Sequence, residues 1–149
     1  MTIPVSTVDT VKDFLVAGIL AAVSDPTVLV SYDMPGPYQP DDIVVVGDIT
    51  VTTEPHAFVG NGQAHWLSEE YTVEVIISVY RGGDTASVAW KRAKVLSDLV
   101  DTLIRTDPTL GAVVQLAYPS KTEFVSDVTE NHSGRMVTVT KEITCNAEL

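Results

Sequence analysis

From Glu70 to Tyr80 the chain alternates between two rows. Tyr71, Val73, Val75, Ile77 and Val79 form one, and Glu70, Thr72, Glu74, Ile76, Ser78 and Tyr80 form the other. A period of two with one apolar row predicts a half-buried strand. Arg81-Gly82-Gly83-Asp84 follows, and then the period changes. Between Thr85 and Arg105, Ala86, Ala89, Trp90, Ala93, Leu96, Val100, Leu103 and Ile104 recur at spacings of three and four. That is the apolar stripe of an amphipathic helix. The glycine pair supplies the turn, Asp84 suits an N-cap, and Asp107-Pro108 stops the helix.

The rest of the chain reads as additions to this strand-and-helix unit. Ser6 or Thr7 caps a first helix whose face is Val8, Val11, Leu15, Ile19 and Ala22, with Asp9 in the first turn where the helix dipole favours negative charge. Gly18 costs a helix up to about 1 kcal/mol relative to alanine, so its presence predicts close packing against another backbone. A short strand spans Val28 to Tyr32, and a loop with three prolines follows at 34–40. Ile43 to Val51 forms the next strand, and its continuous apolar start, Ile43-Val44-Val45-Val46, predicts burial on both faces. Residues 52–68 show turn chemistry without a sustained period, which predicts a long loop or a twisted extension of the flanking strands. The loop carries Phe58 and Trp66, side chains that a purely solvated segment does not want. Ala112 to Tyr118 reads as a strand interrupted at 119–121, extended structure resumes from Glu123 to Thr129, and 130–134 reads as a hairpin turn. The last strand, Arg135 to Ala147, places Lys141 in the same row as Val137, Val139, Ile143 and Cys145. The predicted order is α-β-β-β-α-β-β: an α+β fold with a mostly antiparallel sheet of about five strands. Two helices pack on one face, and a long hairpin or loop arm extends from it.

At 149 residues the chain is long enough for one domain, 1–149, with a sizeable core, and 45% hydrophobic against 19% charged residues is a globular composition. Twenty acids against nine bases give a net charge of −11, which repels a phosphate backbone and argues against binding DNA through a basic patch. The lone cysteine, Cys145, cannot form an intramolecular disulfide and reads as a small core residue. The apolar run from Phe14 to Val23 is too short to span a bilayer, and Asp9 and Asp13 before it outweigh Lys12, unlike a signal peptide. Folding in the cytoplasm is therefore the simplest expectation.

Candidate chemistry is sparse. His56 and His65 lie nine apart in the 52–68 stretch and His132 lies in a hairpin turn, so their spacing requires no metal even with Glu54, Glu69 or Glu70 nearby. Gly60-Asn61-Gly62 lacks the third glycine and the following helix of a dinucleotide loop. No Gly-x-Ser-x-Gly elbow is present. Glu70 and Glu74 stand about 13 Å apart along their strand, too far for paired acid–base work. No enzyme activity, cofactor or metal is expected.

The order of elements, together with Pro40-Asp41-Asp42-Ile43-Val44-Val45-Val46-Gly47-Asp48 and Asp107-Pro108-Thr109-Leu110-Gly111, resembles the tail terminator (tail completion) proteins of long-tailed bacteriophages. Related neck proteins that join heads to tails share overlapping architecture. The resemblance implies a virion protein of the tail or neck, assembled in the host cytoplasm as a homohexameric ring. Such a ring ends tube polymerisation by sitting on the tail tube protein, and it meets the head–tail connector protein. DNA passes through its acidic lumen without specific binding, and no membrane is involved. The subunit or partner contact is expected at Phe58 and Trp66, because buried aromatics dominate interfaces, and at Tyr80 and Arg81. Arg92 and Arg135 are further candidates for pairing across subunits. The alternative is a soluble ligand-binding domain or small enzyme with a pocket under the 52–68 loop.

Overall fold

The structure, a computed structural model, describes residues 5–36, 40–55, 67–83, 86–128 and 134–149. The elements follow the predicted order: α1 (Val8–Ala22), β1 (Val28–Ser31), β2 (Asp42–Pro55), β3 (Leu67–Gly82), α2 (Ala86–Thr106), β4 (Leu116–Val128) and β5 (Gly134–Glu148). The strands form one sheet in the order β1-β2-β3-β5-β4, with β1 parallel to β2 and every other pair antiparallel. It is an α+β fold.

The row Tyr71, Val73, Val75, Ile77 and Val79 of β3 is buried, as its alternation predicts. Residues paired across antiparallel strands share a side, so the register carries this face outward to Val44 and Val46 on β2 and to Val137, Val139 and Ile143 on β5. Helix α2 lies over β3, β5 and β4, while α1 packs on β1, β2 and α2. Val11, Leu15 and Ile19 of α1 and Ala89, Ala93, Leu96, Val100 and Ile104 of α2 close the core. Ile43 and Val45, which project to the other side, are also buried, which accounts for the unbroken apolar start of β2.

Gly18 allows the helices to approach, but the neighbour is a side chain rather than backbone: a methyl there would lie 2.8 Å from Leu103 Cδ2. The Asp107-Pro108-Thr109-Leu110-Gly111 turn has its own logic. Asp107 accepts hydrogen bonds from Thr109 Oγ1 (2.8 Å) and from the Gly111 amide (2.8 Å), while Leu110 takes a left-handed conformation with its side chain fully buried.

Of the two readings of 52–68, extension of the flanking strands holds at both ends, because β2 continues to Pro55 and β3 begins at Leu67, with Glu54 opposite Ser68. Two boundaries differ from the sequence expectation. Residues 112–115 form turns rather than strand, so β4 begins at Leu116. Pro119 does not interrupt β4. The register shift between Pro119 and Lys121 absorbs it as a bulge, on an edge strand whose outward N–H is not needed.

Gly134 opens β5 opposite Gly82, packed directly beneath the Arg81 carbonyl and the Tyr80 ring. Gly134→Ala is therefore expected to cost about 1–3 kcal/mol through overpacking against backbone. A lower urea midpoint at unchanged slope would register it.

Candidate assembly surface

Among the described residues both helices lie on one side of the sheet, so the opposite side from β3 to β4 is a helix-free face. Alternation places Glu70, Thr72, Glu74, Ile76, Ser78 and Tyr80 of β3 there, beside Met136, Thr138, Thr140, Glu142 and Thr144 of β5. Leu116, Tyr118, Lys121, Glu123, Val125 and Asp127 of β4 continue the face, as do Thr50, Thr52 and Glu54 of β2. Its chemistry is threonine and carboxylate. Among the described strand residues, Glu54, Glu70, Glu74, Glu123, Asp127, Glu142 and Glu148 share it with one cation, Lys121. At the far end of the β2–β3 hairpin, Thr52, Glu54, Ser68 and Glu70 line a depression of about 290 Å3.

Three charged groups on the helix side hold this platform in shape. Asp42 is buried at the start of β2 and accepts from Arg81 Nη1 (2.6 Å) and Nη2 (3.0 Å) and from Arg92 Nε (3.1 Å). Arg92 also reaches Asp25 at 3.0 Å, so the group ties the α1–β1 turn, β2, β3 and α2 together. Burial pushes the Asp42 carboxyl up, but the hydrogen bonds and charges of Arg81 and Arg92 outweigh this and hold it below the usual carboxylate range. Glu69 is fully buried near the far end of the hairpin, opposite Thr53, and accepts from the Ser6 hydroxyl and the Thr7 amide, fixing the start of α1 to β3. Lys141, also fully buried, donates to Ser97 Oγ (3.0 Å) and Thr122 Oγ1 (2.9 Å), and its Nζ lies 2.8 Å from Asp101 Oδ1. The ammonium's directed hydrogen bonds go to the two hydroxyls, and Asp101 supplies charge without a directed bond.

Tyr80 lies on the helix-free face beside Met136, whereas Arg81 lies on the helix side, engaged with Asp42. The structure therefore does not bring these two expected contact residues together. Arg92 is likewise paired within the chain. Phe58 and Trp66 lie outside the described residues, as do His56, His65, His132, Asp84 and the 60–62 glycine pair. Cys145 is in the core, and burial pushes its thiol up to about 12, far from a reactive thiolate. Sequence reasoning missed Asp42 and Glu69 as structural anchors. The available signal was positional: Glu69 falls in the same alternating row as Tyr71, and a carboxylate in an apolar row needs a partner.

No family model matches the chain, and neither does any curated protein. Among solved structures, the chain is similar to a chain of the virion of a native gene transfer agent particle. That likeness covers 89% of this chain and 95% of the other at 11% identity, with a TM-score of 0.39.

Proposed function

We propose that this chain is a structural protein of a tailed-phage virion, of the tail terminator type. It would form a ring on the end of the tail tube, stop tube growth and offer its far surface to the head–tail connector. The observation that carries this reading is the helix-free, carboxylate-rich sheet face extending onto the β2–β3 hairpin. Turned toward the axis of a ring, such a face repels a polyanion and lets it slide rather than stick. The sequence resemblance at Asp41-Asp42-Ile43-Val44-Val45-Val46-Gly47 and at Asp107–Gly111 supports the same role. The expected result is that substoichiometric protein arrests polymerisation of the cognate tail tube protein, giving tubes shorter than those grown alone. Tube lengths by electron microscopy measure this, and unchanged lengths at stoichiometric protein would contradict it.

A further inference from the structure

Among the described residues the sheet has two open edges. Strand β1 covers β2 only from Asp42 to Val45, so the outer edge of Ile49–Pro55 has no strand beside it among the described residues. At the other end, β4 is paired on one side alone. Soluble proteins usually protect such edges with proline, lysine, bulges or covering segments. Here β4 carries its proline and bulge at one end, and from Lys121 to Val128 it is unbroken. That stretch exposes one apolar side chain on each face: Val125 (43%) on the helix-free side among Lys121, Glu123 and Asp127, and Val128 (44%) on the helix side, where Trp90, 40% exposed, stacks on Phe124 with centroids 4.7 Å apart. The β2 edge is a β-branched run, Ile49 partly buried and Thr50-Val51-Thr52-Thr53 exposed, ending in Glu54.

We propose that copies of this chain join head to tail by antiparallel pairing of the β4 edge of one copy with the β2 edge of the next, Lys121 opposite Glu54. The two edges differ, so the contact is heterologous and generates a ring or a filament rather than a two-fold dimer. Closure as a ring rests on the function proposed above; the pairing rests on the edges themselves.

The register follows from three constraints. The helix-side rows must stay aligned, because a slip of one residue inverts every side chain. Lys121 and Glu54 both belong to the helix-free face, and pairing them sets Glu123 opposite Thr52 and Val125 opposite Thr50 on that face. On the helix side it sets Phe124 opposite Val51 and Thr122 opposite Thr53. Shifting by two residues one way puts Glu123 opposite Glu54, a like-charge pair; the other way puts Glu54 opposite Pro119, which has no N–H.

The test is a full-length E54C/K121C variant, oxidised at high concentration and run on a non-reducing gel, with each single-cysteine variant as control. Cys145 is buried and contributes no background. The expected result is a ladder of cross-linked species in the double variant only, abolished by reductant. The charge swap E54K/K121E should also assemble like wild type, while K121E alone should lower the assembled fraction at least tenfold. Assembly by native mass without a ladder would overturn the edge pairing and leave the ring reading standing. A chain that remains monomeric and unlinked at every concentration would overturn the pairing, and tube arrest would then decide the ring reading separately.

Discussion

Lys141→Ala should cost about 3–5 kcal/mol, the range for breaking a buried charge pair. The lysine is fully buried between α2 and the sheet, and its removal leaves a cavity lined by Ser97, Thr122 and Asp101 with their donor gone. Lys141→Met keeps most of the volume and should cost clearly less, because Asp101 is 32% exposed and can turn to water. Combining Lys141→Met with Asp101→Asn and Ser97→Ala removes the unpaired charge and one orphaned hydroxyl and should recover much of the loss. Urea denaturation of the series measures it. An equal loss for Ala and Met would show that the charge, not the packing, dominates.

Asp42→Ala is the second large effect. It removes the carboxylate that joins Arg81 and Arg92, which are only 28% and 26% exposed, and unties the β2 start from α2. A loss of about 3 kcal/mol is expected, at the low end for a buried pair because both guanidinium groups retain some water. The same site predicts the acid limb. The folded carboxyl titrates below its unfolded value, so its contribution is complete above about pH 4 and fades as pH falls through the folded pKa. Asp25 and Asp107 act in the same direction: hydrogen bonds from Thr27 hold the first low, and those from Gly111 and Thr109 hold the second. Wild-type urea midpoints should therefore fall below about pH 4. Asp42→Asn should start lower at neutral pH and fall less over that range.

β3 and α2 were legible in sequence because each carries one clean period with punctuation at its end. The end of β2 was not. After Val51 the chain turns polar on both faces, and Thr52–Pro55 are defined as strand only by pairing with 67–70, across the hairpin. Pro119 reads locally as a break, yet the fold tolerates it because it falls on an edge strand. The anchoring charges were the least visible, since their partners are distant in the chain: Glu69 meets Ser6 across 63 residues, and Asp42 meets Arg81 across 39. Lys141 was visible as an anomaly, a cation in an apolar row, but nothing local names Ser97 and Asp101 as its partners. The acidic sheet face was half legible. Glu70 and Glu74 announce it on β3, and only the register adds Glu123, Asp127 and Glu142.

Native mass spectrometry with negative-stain imaging, on the protein alone and mixed with the tail tube protein that the proposed function calls for, tests the central claim most directly. Closed rings with an open centre, free or seated on tube ends, with about six copies by mass, are the predicted result. A particle that stays single and leaves tube ends bare would contradict the account.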